Sequence, residues 1–366
     1  MKHAIAFLGL SLVLSTRLAA QNTPSQTLLV LSKKAHTLAI ADPVELKVLS
    51  RVPVGNDPHE VIASTDGTTA YVSNYGFGAF NTLARVDLVH QRALPAIDLG
   101  PLRGPHGLTF VGGKAWFTAE GAKAIGSYDP QTNKVDWILG TGQNRTHMIL
   151  VSQDEQFIVT TNVSSATVSL IEKSKNRGPG GPPPMPNAFG VPPPPPTQTG
   201  PRGVPGGDWD ETVIPVGRGS EGFDVSPDSK EIWVANAQDG TVSIIDKASK
   251  RVTQTLAANV RGANRLKFTP NGKLVLISSL GGPDLVIYDA ATRKEIKRVP
   301  IGHGAAGIEI QPDGARAYVA CIPDNYVAVI DLKSLEVVGH IDAGPEPDGL
   351  AWASGVKCFT HQARCS

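Results

Sequence analysis

Residues 220–256 read SEGFDVSPDSKEIWVANAQDGTVSIIDKASKRVTQTL. Turn signals cut this stretch into four short segments. Gly222–Ser226 is followed by the turn Pro227-Asp228-Ser229-Lys230, and Glu231–Ala235 by the Asp-Gly turn Gln238-Asp239-Gly240. Asp-Gly pairs suit tight hairpins because both residues tolerate left-handed backbone. Thr241–Asp246 and Arg251–Leu256 complete the set. Apolar residues alternate or run in groups of about five, as half-buried and fully buried strands do. The stretch predicts four consecutive antiparallel strands.

The same pattern recurs along the chain. Short related segments are anchored at His59, His106, His147, Glu221, Asn264, Ala306 and Asp348, with steps of 47, 41, 74, 43, 42 and 42 residues. A period of about 40–45 residues built of short strands is that of a propeller blade. The long step holds residues 174–210, with 12 of the 29 prolines and five in a row at Pro192–Pro196. Such a stretch cannot bury enough surface to order itself. It falls between Thr167–Glu172 and Glu211–Val216, the third and fourth strands of one blade (the fourth blade, counting the closing one first). The expected fold is an all-β, seven-bladed propeller over residues 21–353. Its last blade opens with Gly349–Ala353 and borrows Thr27–Leu31, Thr37–Ala41 and Leu46–Val54 from the N-terminus. That closure removes free sheet edges.

Thr69–Asn74, Ile232–Asn236 with Gly240–Asp246, and Ala317–Ala320 with Val327–Asp331 resemble YVTN-type propeller repeats, the YncE-like family. Residues 104–129 resemble a repeat of the streptogramin (virginiamycin B) lyase propellers. The first resemblance implies an exported seven-bladed propeller. The second implies metal-assisted elimination at the central mouth, and makes a divalent metal ion there plausible.

Residues 1–20 have the layout of a secretory signal peptide: Lys2 and His3, an apolar run, then Leu18-Ala19-Ala20 before the expected cleavage. The expected location is periplasmic or secreted, and no later segment is apolar enough to span a membrane. With 34 Lys+Arg against 33 Asp+Glu, the net charge of +1 argues against a nucleic-acid partner held by bulk charge. Hydrophobic residues, at 41%, supply a large core. Cys358 and Cys365 flank the tail, residues 354–366, where an exported protein could bond them. Cys321 reads as a small buried residue. No CxxC, Walker A, Rossmann or GxSxG motif is present.

Innermost strands line a propeller's channel, so the seven anchors should ring its mouth. His59, His106, His147 and Glu221 offer imidazole and carboxylate donors of the kind that hold Zn, Fe or Cu. Arg103, Arg145, Arg218 and Arg261 lie two or three residues upstream of anchors. Gathered at a concave mouth, they favour carboxylate or phosphate groups, with Asn264 and Asp348 beside them. Loops after the second strands bring Lys33, Tyr75, Phe77, Phe80, Glu120, Lys123 and Asp324 to the same face. The expected function is binding of a small anionic ligand or a protein partner at this mouth. The alternative is a metal-dependent lyase or lactone hydrolase on the same histidines. The proline-rich loop is a further docking segment.

Overall fold

The computed structural model describes residues 26–174 and 209–355. Ser220–Val225, Glu231–Asn236, Thr241–Asp246 and Arg251–Leu256 form one antiparallel sheet in chain order. The middle strands carry the apolar runs and are almost wholly buried, with Ile232 opposite Ile245 and Trp233 opposite Ile244. The outermost strand, RVTQTL, is mostly exposed, which its polar residues allow. Six more four-stranded sheets repeat this plan, giving seven blades. Among the described residues only two three-residue helical turns interrupt the strands, Gly76–Gly78 and Glu120–Ala122.

No sheet can bury both faces alone, so the core lies between blades. Trp233, Val242 and Ile244 pack with Leu266, Val275 and Ile277 of the next blade. The ring closes as expected. Pro347–Ser354 pairs with Gln26–Ser32, matching Leu28 to Trp352 and Val30 to Leu350. Leu28, Leu29, Val30 and Leu31 are fully buried there.

Thr167–Lys173 and Trp209–Pro215 are the third and fourth strands of one sheet. Thr167–Lys173 pairs in full register with Trp209–Pro215, so Trp209 and Asp210 belong to the strand rather than to the loop. The Trp209 ring packs tilted against Trp137, which meets Trp116 edge-on. Ser354 likewise ends a strand. The expected signal peptide, the rest of the insertion, and Cys358 and Cys365 lie outside the described residues. Cys321 is fully buried, as its sequence setting suggested. Among the described residues no helix is long and apolar enough to cross a membrane.

Two backbone features set the channel's geometry. The residue after the anchor is glycine in four blades, Gly107, Gly222, Gly307 and Gly349. A Cβ on Gly107 would stand 2.5 Å from the His147 carbonyl oxygen and 2.7 Å from Met148 Cα. The innermost strands therefore touch backbone to backbone. Two residues before each anchor the chain turns left-handed, at Asp57, Gly104, Arg145, Gly219, Gly262, Gly304 and Glu346. Each of these residues directly precedes an innermost strand, so the same turn leads into all seven.

Candidate functional site: the histidine-lined mouth

The three anchor histidines do converge. His106 and His147 are 2% exposed and His59 is 9% exposed. The His106 ring centroid lies 3.8 Å from that of His147, with planes 34° apart, and 5.0 Å from those of His59 and Tyr75. Phe77 overhangs the group, 84% exposed, with its ring 6.4 Å from His59. It sits in a left-handed turn, φ 50°, which a bulky side chain rarely adopts.

His147 is clamped. Its Nδ1 lies 2.5 Å from Glu120 Oε1, and its Nε2 lies 2.7 Å from Glu221 Oε2. The Tyr75 hydroxyl donates to Glu120 Oε2 at 2.5 Å, and Arg145 lies 3.5 Å from Glu120 and 3.7 Å from Glu221. Burial opposes charge on His147, but the two carboxylates outweigh it and raise its pKa. Burial would raise the pKa of Glu221, yet the His147 charge and hydrogen bond win and hold it down at about 2. Glu120 is lowered by the same contest. The result is an imidazolium between two carboxylates, capped by a guanidinium.

His106 is the opposite case. Burial and the positive field of His147, Arg265 and Arg145 hold its pKa well below the usual imidazole range. It is neutral at pH 7. Its ring makes no hydrogen bond among the described residues, and Nδ1 is shut from solvent without a partner. An orphaned buried nitrogen costs about 1–3 kcal/mol, which a rigid structure sustains where function uses it.

The remaining groups pair off around the rim. Lys33 Nζ lies 3.2 Å from Asp348 and 3.0 Å from His59 Nε2, and Asp57 lies 3.4 Å from His59 Nδ1. Arg145 alone of the four expected arginines reaches the central groups. Arg103 is exposed, with a bond to the Ala79 carbonyl, Arg218 pairs with Asp239, and Arg261 is exposed. Arg265, which the sequence reading passed over, enters the channel instead. It is 8% exposed, ion-paired to Glu60 across the axis and bonded to Asn264 Oδ1. Arg265 and Glu60 both follow an anchor directly, where four blades have glycine. Bulk at that position was the available signal.

The donor set does not fit a metal ion as it stands. The His106 and His147 rings stack 3.8 Å apart with planes 34° apart, and a carboxylate stands within 2.7 Å of each His147 nitrogen, without a well-aligned hydrogen bond at Nε2. Among the described residues no group of three or more His, Cys, Asp or Glu is arranged to hold an ion.

Comparison with known proteins places this mouth in context. Residues 208–309 match a family model described as the Cytochrome D1 heme domain. A Bacteroides fragilis NCTC 9343 protein, described as a proposed 6-phosphogluconolactonase, shares 15% identity at a TM-score of 0.68, over 90% of this chain and 98% of that one. Hydrazine synthase of Kuenenia stuttgartiensis shares 18% identity at 0.65, over 87% and 98%. The dihydro-heme d1 dehydrogenase NirN, solved in complex with DHE, shares 12% at 0.60, over 91% and 66%. No curated protein is significantly similar in sequence. These likenesses support the propeller fold. The matched stretch brings Glu221, Asn264 and Arg265 to the mouth, none of them the imidazole, thiolate, thioether or phenolate that holds haem iron. His59, His106 and His147 come from blades outside it, and His303 within it is exposed and paired with Asp324.

Proposed function

We propose that this chain is an exported binding protein of the YVTN type whose mouth takes a small anion, seated against His106 beside His59 and Arg145. The observation that carries this reading is His106 itself. A neutral, unbonded imidazole in a positive local field is poised to meet negative charge. A carboxylate or phosphate there would favour the protonated ring, which would then donate a charge-assisted hydrogen bond. Glu120 and Glu221 keep His147 charged and oriented, so the site is organised before the ligand arrives. Phe77 and Tyr75 wall the rim and suit an apolar portion of the ligand.

Imidazole nitrogen NMR tests this directly. The His106 signals of the mature protein at pH 7 should be those of a neutral ring, and should move to the charged form as propionate or inorganic phosphate is titrated in. Signals that stay neutral throughout would overturn the reading.

A lactone hydrolase is the second reading, prompted by the description of the Bacteroides neighbour. His106 would then serve as a base and Arg145 would place an anionic substrate. The metal-dependent form finds no support in the donor geometry. Elemental analysis after incubation with Zn²⁺, Mn²⁺ and Fe²⁺ should show no ion retained by wild type and lost in His106→Ala.

A further inference from the structure

Beside the Glu60–Arg265 pair lies a second chamber, a cavity of about 310 Å³. Its walls differ. Ile62, Phe110, Leu150, Leu350 and Trp352 line one side. Asp224, Lys267 and Glu309 line the other, supplied by three consecutive blades. Each lies three residues past its anchor, so all three stand at one depth.

These charged groups are under-partnered. Asp224 accepts the backbone N–H of Phe268 at 2.9 Å and of Val225 at 3.0 Å. Neither Lys267 Nζ nor the Glu309 carboxylate makes a hydrogen bond or an ion pair among the described residues. Two carboxylates thus share one ammonium, and Glu60 is already matched by Arg265. All three side chains are partly exposed, and the surface they keep faces this chamber. An unpaired carboxylate facing an apolar wall across a small chamber is the recognition pattern for an amine that carries a hydrocarbon body.

We propose that this second chamber binds a small organic cation, a primary ammonium paired with Glu309, with its alkyl or aryl part against the Phe110 and Trp352 side. The site is separate from the mouth: none of His59, His106 and His147 lines this chamber, and the Glu60–Arg265 pair stands in its wall. A metal ion is a poorer occupant, since no group of three donors among the described residues is set to hold one. Burial, reinforced by the Asp224 charge and only partly offset by Lys267, pushes Glu309 up to about 7. A cation should therefore displace a proton from it.

The test uses the mature chain labelled at its methionine methyls, because Met148 lines the chamber. Titration with n-butylammonium should shift the Met148 signal saturably, whereas n-butanol and butyrate should not. With Glu309 titrating at about 7, affinity should rise about tenfold from pH 6 to pH 8. In Glu309→Gln both the binding and its pH dependence should be lost. Shifts no larger than those from butanol, or unchanged binding in Glu309→Gln, would overturn the proposal. If that variant does not fold, the pH dependence in wild type decides alone: a flat profile overturns it.

Discussion

Arg145 occupies a backbone position where four of the seven blades use glycine. A left-handed residue with a Cβ costs about 1–2 kcal/mol, and such strain persists where the surroundings over-determine it. Here it places a guanidinium over Glu120 and Glu221. Arg145→Gly should therefore be more stable than Arg145→Ala by about 1 kcal/mol, while both lose propionate binding. Chemical denaturation beside a binding titration checks this pair.

The His147 clamp predicts a pH window. Glu221 has a lowered pKa, so its contribution is full above the ordinary carboxyl value of 4.5 and is lost as pH falls towards about 2. His147 has a raised pKa, so its contribution is full below 6.5 and is lost as pH rises through the elevated value. Glu221→Gln should then cost most between those two values, about 2 kcal/mol or more. The gap in melting temperature from wild type should narrow on both sides. A constant gap would contradict the clamp. Much of this site was legible in the sequence, because His59, His106, His147 and Glu221 all fall on the blade period. Their protonation states were not legible, because Glu120 and Tyr75 come from loops of other blades. Arg218 and Arg261 lie three residues before their anchors, one further than Arg145, and stay on the rim.

At the scale of strands, second-strand hydroxyls stitch the channel wall. Thr118 Oγ1 accepts the Gly107 N–H at 2.9 Å and donates to the His147 carbonyl at 2.7 Å. Thr161 reaches the Glu221 carbonyl and Ser278 the Ala306 carbonyl in the same manner. Each hydroxyl fixes the next blade's anchor relative to its own. Thr118→Val should cost about 1–2 kcal/mol by stranding two buried backbone groups, and should loosen His147. Gly107→Ala should cost more, because backbone cannot give way to the added Cβ. Thermal melts rank the two, and His147 ring signals that broaden in both variants would report the shared mechanism. Neither device could be read from one blade's sequence. Each depends on how closely neighbouring blades pack.

At the scale of the whole molecule, closure joins the chain's two ends. Without residues 21–50 the Pro347–Ser354 strand loses its partner and Leu28–Leu31 leave the core. That truncation should not melt cooperatively, and a soluble, cooperative product would contradict the closure. Seven blades were legible because the period survives a 74-residue step, and the closing strands because three N-terminal segments were left unassigned. The second chamber was not, since Asp224, Lys267 and Glu309 look like ordinary polar strand residues until the ring brings them to one level.

The central claim is that a neutral His106 receives an anion at the mouth. Calorimetric titration of the purified protein with propionate at pH 7, in two buffers of different ionisation heat, tests it most directly. The account predicts one site per chain, about one proton taken up on binding, and loss of both in His106→Ala. Binding without proton uptake, or binding that survives His106→Ala unchanged, would contradict it.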